Sequence, residues 1–326
     1  MTDLKQRILD RVQNDLTTIE TALQEQLAPY LDLVRQVAGH ILFAGGKRLR
    51  PLMMVMGARL CDCSDPKLPT YATLFEYLHA ATLVHDDVVD GGAVRRGRPV
   101  AHLQWDSPTA VLTGDYLLAR ALKIAAMTGK PRVIDVLASV TENMSQGEIQ
   151  QLSRKGQVDL SEDEYLQIIR AKTAVLFEGA CRVSAIVAGA TAEKETALAT
   201  YGYELGIAFQ MVDDLLDYTH DTRVLGKPVG ADLREGKLTL PVIVALQSAS
   251  DAHRAEMTDI IRRPDFSTVD FDRLIDLLTR YGGIESTRRR AAACVDQAKT
   301  ALGVFPRGET RQILMDVADY ALLRTA

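Results

Sequence analysis

LVHDDVVD, residues 83–90, sets Asp86, Asp87 and Asp90 into an otherwise apolar helical pattern. The same Asp-Asp-x-x-Asp spacing returns in FQMVDDLLDY, residues 209–218, as Asp213, Asp214 and Asp217. On an α-helix the first and last acids of each copy, four residues apart, share one face one turn apart. Like charges at that spacing repel by roughly 0.2–0.5 kcal/mol per pair. Helix stability therefore does not explain them, and a buried unpaired carboxylate is costly. The pattern calls for a cation between the two helices. Oxygen-only clusters suit a hard ion, and magnesium is the common choice where phosphates share the coordination. Calcium fits less well, because neither motif has the loop of an EF-hand.

The chain around these motifs reads as helix almost throughout. Residues 1–27 carry Leu4, Ile8, Val12, Leu16, Ile19 and Leu23 at three- and four-residue steps. Segments 71–90, 109–128, 132–153, 162–178, 195–219 and 238–249 behave alike, as do 268–280, 284–301 and 308–324. Breakers such as Gly45-Gly46, Asp65-Pro66, Gly129-Lys130-Pro131 and Gly282-Gly283 fall between them. No alternating pattern marks a strand, and no Pro/Ser-rich linker divides the chain. The expectation is one all-α domain over residues 1–326, with folding bringing the two acidic motifs together. Segments 71–84 and 174–191 are apolar on most sides and belong at the centre of a bundle.

At 47% hydrophobic and 25% charged residues, the 326-residue chain has the balance of a soluble globular protein. A net charge of −5 lacks the basic footprint of a nucleic-acid binder. Cys61, Cys63, Cys181 and Cys294 are too few and too scattered for a disulfide framework and read as reduced thiols. The N-terminus lacks the apolar core of a signal peptide. No run of about 18 uncharged apolar residues offers a membrane span. A cytoplasmic location is expected, which leaves room for a product that enters a membrane.

Cations gather near the acids. Gly45-Gly46-Lys47-Arg48-Leu49-Arg50-Pro51 puts three of them at a helix start, with Pro51 suited to the first turn. Such a start is a ready anion site. Arg95, Arg96 and Arg98 follow the first acidic motif, and Lys227 and Lys237 follow the second. A polyphosphate held by magnesium on one side and by Lys and Arg on the other needs this combination. A second anion site would use cations alone, with Lys47, Arg50 and His79, which sits two turns before Asp86.

These residues fall in an ordered set: GGKRLRP (45–51), LHAATLVHDDVVD (78–90), RRG (95–97), GD (114–115), QGE (146–148), KTA (172–174), FQMVDDLLDY (209–218) and GKPVGADLREGK (226–237). By this set the chain resembles the trans-polyprenyl diphosphate synthases over most of its length. The resemblance implies an all-α bundle around a central catalytic cavity, three magnesium ions on Asp86, Asp87, Asp90, Asp213, Asp214 and Asp217, and a homodimer. It assigns Arg95, Lys172, Thr173, Gln210 and Lys227 to the allylic diphosphate, with Lys237 nearby, and names Lys172, Thr173, Gln210, Lys227 and Lys237 as catalytic. Lys47, Arg50, His79 and Arg96 would hold isopentenyl diphosphate. The implied reaction is head-to-tail condensation of isopentenyl diphosphate onto an allylic diphosphate.

Product length, by the same resemblance, is written before the first motif. A bulky aromatic four or five residues before Asp86 would stop the chain early, but this sequence has Thr82 and Ala81 there. Leu78 and Phe75 continue down the helix, and the eleven steps from Asp86 to Phe75 span about 16 Å. The expected product is long, octaprenyl or similar, as in a quinone side chain. A geranylgeranyl synthase is the alternative. A terpene cyclase would have no use for the Lys47, Arg50 and His79 site. A non-catalytic subunit of a heteromeric synthase would be expected to have lost some of these residues.

Overall fold

In the computed structural model, residues 2–29, 31–219, 230–263 and 267–324 are described. The chain forms two compact units. The first comprises Met1–Ser139, Leu176–Gly202 and Leu302–Asp316, and the second Val140–Val175, Tyr203–Ala301 and Val317–Ala326.

The first unit is organised on the helix that carries LVHDDVVD. Helices α1 (Thr2–Gln26), α2 (Asp32–Leu42), α3 (Leu49–Leu60) and α4 (Leu68–Val89) precede a two-stranded hairpin, β1 (Val94–Arg95) and β2 (Arg98–Pro99). Helices α5 (Ala101–Gln104) and α6 (Ser107–Met127) and the first part of α7 (Pro131–Arg154) follow. The apolar period anticipates α1, α4, α6 and α7 to within a few residues. It misses α2, and the hairpin contradicts the expectation of no strand, because two-residue strands are too short to alternate. Asp106 caps α6 by accepting from the Thr109 amide, and Pro108 follows at a position that needs no amide donor. Helix α4 buries residues around most of its circumference, among them Tyr71, Phe75, Leu78, Ala81 and Val84. It is the central helix its composition implies. Its last turns lie close to α6 at Gly114, where a Cβ would stand 2.2 Å from His85 Nε2.

Arg48 holds the start of α3. It adopts a left-handed backbone, φ 48°, and turns inward to Glu20, Glu76 and the Leu42 carbonyl. Burial opposes its charge, but Glu20 and Glu76 outweigh that cost and raise its pKa. The Arg48 and Glu76 side chains are 7% and 8% exposed, so neither charge has water in place of its partner. Glu76→Ala should therefore destabilise the protein by about 3–5 kcal/mol in a denaturant titration; a loss below about 1 kcal/mol would disprove the ion pair's role.

The second unit contains the remainder of α7, then α8 (Glu162–Ile169), a π-helical turn (Arg170–Ala174) and the start of α9 (Val175–Ala188). It also contains the C-terminal half of α10 (Ala192–Thr219), which carries FQMVDDLLDY. The chain continues through α11 (Ala231–Arg234), α12 (Leu240–Ser248), α13 (Asp251–Arg262), α14 (Thr268–Arg280), α15 (Gly283–Ala301) and the end of α16 (Glu309–Leu323). The segment 162–178 is expected as one helix but is divided by the π turn. Two glycines explain how that wide turn fits. A Cβ on Gly147 would lie 2.7 Å from Ala171 Cβ, and one on Gly206 would lie 2.6 Å from Ala174 Cα. Helices α7 and α10 thus approach the turn more closely than any other residue would permit, and the wider turn occurs where π-bulges commonly mark function.

Among the described residues, no helix is long and apolar enough to cross a membrane. All four cysteines are free thiols.

Candidate active site

In the first unit the structure gathers the cations of two separated sequence segments around His79. The hairpin turn places Arg96 and Gly97 at φ 51° and 73°, the left-handed pair that a two-residue hairpin loop requires. From this turn Arg96 donates through Nη1 to the Gly45 carbonyl, joining the hairpin to the GGKRLRP loop. The Arg50 guanidinium lies 4.7 Å over the Phe177 ring, a favourable cation–π arrangement. Lys47 is exposed at the mouth of the same loop. Four of these cations act on His79, whose pKa is driven well below the usual imidazole range. Burial is the largest cause, followed by Arg50, Arg96, Arg95 and Arg48. His79 is therefore a neutral hydrogen-bonding group in a strongly positive field.

That depression has a defined consequence for stability. The unfolded chain takes up a proton at His79 near pH 6.5, whereas the folded chain resists it. The contribution is fully present above that pH and is lost as pH falls through it toward the depressed value. Between pH 7 and 5, unfolding free energy should fall by up to about 1.4 kcal/mol per pH unit more in the wild type than in His79→Gln. Denaturant titrations at several pH values check this, and parallel curves would contradict it.

The first acidic motif is split by its own geometry. Asp86 and Asp90 are half-buried, and Asp87 is buried at 4% exposure. Arg95 grips Asp87 Oδ1 from Nε at 2.8 Å and from Nη2 at 2.7 Å. The other oxygen, Asp87 Oδ2, is buried and makes no hydrogen bond among the described residues. A buried carboxylate oxygen without a donor is costly, and a hard cation is a suitable partner for it. The expected magnesium therefore fits the donor set of this motif.

In the second unit the acids of the second motif meet protein partners. Arg324 pairs with Asp213 and lies 3.7 Å over the Phe209 ring. Asp214, 3% exposed, accepts from Tyr165 Oη at 2.6 Å and from Gln210 Nε2 at 2.8 Å. Burial first, and then Asp232, push the Asp214 carboxyl up to about 8. Asp217 accepts from the Ala231 and Asp232 amides, both at 3.1 Å, and so caps α11. Among the described residues, no three Asp, Glu, His or Cys side chains converge on one metal position.

A cleft of about 140 Å³ opens beside these acids, lined by Lys172, Thr173, Gln210, Asp214, Lys237 and Tyr165 among others. Lys172 donates to Gln151 Oε1 at 2.7 Å and pairs with Glu148. Thr173 donates to Gln210 Oε1 at 2.8 Å, and Lys237 pairs with Glu235 at 2.8 Å. Lys172 and Thr173 project from the π turn, which sequence periodicity does not reveal. Lys227 lies outside the described residues. Of the residues expected to govern product length, Ala81, Leu78 and Phe75 are buried on α4. Half-buried Thr82 donates to the His79 carbonyl at 2.8 Å.

Three participants were not anticipated. Arg48 was counted among the cations at the start of α3 but given no ligand, and it points into the core. Tyr165 and Arg324 belong to no motif, and only their tertiary placement next to Asp214 and Asp213 distinguishes them.

The sequence model of the Polyprenyl synthetase family matches residues 31–278. The all-trans-nonaprenyl-diphosphate synthase (geranyl-diphosphate specific) of Rhodobacter capsulatus is 39% identical, with 99% of this chain and 98% of that protein covered. The octaprenyl diphosphate synthase of Escherichia coli is 36% identical, with 98% of each covered. The crystal structure of a polyprenyl synthase from Caulobacter crescentus, complexed with calcium and isoprenyl diphosphate, superposes with a TM-score of 0.92 at 38% identity, covering 98% of each chain. A family model over residues 31–278 and relatives matched over nearly their full length lead to one assignment: the chain belongs to the polyprenyl synthetase family.

Proposed function

We propose that the protein is a long-chain all-trans polyprenyl diphosphate synthase, a prenyltransferase that adds isopentenyl units to an allylic diphosphate and stops at octaprenyl length or thereabouts. The observation that carries this reading is the gathering of Arg50 and Arg96 beside His79, with Arg96 bonded to the Gly45 carbonyl and Lys47 exposed on the same loop. It suits a second diphosphate bound without metal, which a terpene cyclase would not need. Octaprenyl and nonaprenyl synthases are among the relatives, and geranylgeranyl synthases are more distant.

Asp86, Asp87 and Asp90 would hold magnesium, and the family resemblance assigns Asp213, Asp214 and Asp217 the same task. Three ions per site, as the family resemblance implies, would polarise the allylic diphosphate and stabilise the charge on it as it leaves. Lys172, Lys237 and Arg95 add positive charge to that leaving group, with Lys227 assigned beside them. Lys47, Arg50, Arg96 and neutral His79 hold isopentenyl diphosphate, so that its double bond meets the allylic carbon without the entropic cost of a random encounter. The allylic C–O bond breaks, the C–C bond forms, and a proton leaves, with the released diphosphate as its acceptor. No side-chain nucleophile is required. The whole chain, residues 1–326, would work as one catalytic domain, in a homodimer, in the cytoplasm.

Incubating the purified protein with magnesium, a short allylic diphosphate and labelled isopentenyl diphosphate tests this reading. Dephosphorylated products should run as long-chain alcohols on thin-layer plates. A single twenty-carbon alcohol would establish the geranylgeranyl alternative, and no turnover by the protein alone would overturn this reading and revive the non-catalytic subunit.

A further inference from the structure

The QGE segment, residues 146–148, has no task in the function proposed above. It lies on α7 in the second unit and meets the π turn that carries Lys172. Gly147 makes the meeting close: a Cβ there would stand 2.7 Å from Ala171 Cβ and 3.2 Å from the Lys172 amide nitrogen. The next residue, Glu148, forms an ion pair with the Lys172 ammonium. Gln151, one turn further along the same face of α7, accepts from Lys172 Nζ through Oε1 at 2.7 Å. Lys172 and Gln151 line the cleft beside Asp214, whereas Glu148 is not among the described residues that do.

Fold stability does not explain the pair. The Glu148 and Lys172 side chains are 16% and 24% exposed. Apart from Lys172, no donor among the described residues reaches either Glu148 oxygen. A pair this sheltered adds little net stability, and apolar side chains of similar volume commonly serve as well or better. Its effect falls on Lys172. A lysine ammonium carries three N–H donors on a long flexible stem. Glu148 and Gln151 take two of them from two points on one helix, and the tetrahedral nitrogen then fixes the direction of the third.

We infer that Glu148 is a positioning residue for prenyl transfer: with Gln151 it aims the third Lys172 N–H at the allylic diphosphate. The inference rests on the reading given above, which assigns Lys172 to that diphosphate. Ordering the ammonium in advance removes the cost of ordering it as charge grows on the leaving group. The negative charge of Glu148 works against this, because it offsets part of the attraction between Lys172 and the diphosphate. Position outweighs that offset. Misplacing a group by 1 Å can cost about 100-fold in rate, and the ammonium, standing between the two anions, acts on the diphosphate over the shorter distance.

The test compares full-length wild type, Glu148→Ala, Glu148→Gln, Lys172→Ala and the Glu148→Ala/Lys172→Ala double variant, with magnesium and labelled isopentenyl diphosphate. Glu148→Ala should lower kcat by on the order of tenfold, with KM for isopentenyl diphosphate changed less than about twofold. Glu148→Gln keeps an acceptor for the ammonium and should restore kcat to within about threefold of wild type. In the Lys172→Ala background, Glu148→Ala should lower kcat by less than about twofold further, because no ammonium is left to aim. Multiplicative effects on kcat would overturn the proposal. So would a Glu148→Gln enzyme as slow as Glu148→Ala, which would make charge the cause. A Glu148→Ala enzyme as fast as wild type but with a lower melting temperature would make the pair structural and overturn it as well. If Glu148→Ala does not fold, Glu148→Asp withdraws the carboxylate by one methylene. It should then lower kcat by about fivefold, and an unchanged kcat would overturn the proposal. Absence of prenyl transfer by the wild type would overturn both readings, whereas an active wild type with multiplicative variants would overturn only the role of Glu148.

Discussion

Asp86→Ala will lower turnover by on the order of 10³-fold at saturating substrates, with the melting temperature unchanged or slightly raised. Asp86 is half-buried one helical turn from Asp90, and removing it relieves a like-charge pair at i,i+4. Fold stability and activity are thus expected to move in different directions, which separates a ligand from a structural acid. Asp217 provides the contrast. Both of its oxygens accept backbone amides at the start of α11, so its replacement should cost stability on the scale of a lost helix cap, about 0.5–2 kcal/mol. Steady-state kinetics and thermal melts of the two variants check the distinction. An Asp86→Ala enzyme within about tenfold of wild type would remove the metal assignment.

Ala81→Tyr will shorten the product to farnesyl or geranylgeranyl length. Ala81 is 2% exposed on the central helix of the first unit, five residues before Asp86. A phenol there occupies space that a methyl leaves to its surroundings, and overpacking of this kind costs typically about 1–3 kcal/mol. If the growing prenyl chain passes this position, the ring blocks it after few additions. If it does not, the variant loses stability while its product ladder stays the same. Chromatography of dephosphorylated products distinguishes the outcomes, and an unchanged ladder removes the argument from residue size. Phe75 and Leu78, at 0% and 1% exposure, then become the next positions to vary.

The helices whose existence was clearest in the sequence are those with one long, uninterrupted apolar period, such as α1, α4 and α6. Buried α3 escaped that test because Leu52, Met53, Met54, Val55 and Met56 are all buried. With no polar face, the segment has no period to detect. The motif residues were legible because their chemistry is unusual for a helix: acids in an apolar run, and glycines beside Lys and Arg. The inward turn of Arg48 was not legible in the same way. Composition alone cannot tell a cation aimed at a ligand from one aimed at Glu20 and Glu76.

By itself the sequence determined the helical class and the family, and it singled out the charged motifs from which the candidate site is proposed. Periodicity and local spacing are properties of neighbouring residues and survive without tertiary structure. Only the tertiary structure decided the finer roles within LVHDDVVD and FQMVDDLLDY. Asp87 is divided between Arg95 and an oxygen without a donor, Asp213 meets Arg324, Asp214 is held by Tyr165 and Gln210, and Asp217 caps a later helix. The physical reason is that a carboxylate's task depends on which donors reach it. Those donors come from residues 8 to 111 positions away in the chain, apart from Gln210 one turn before Asp214.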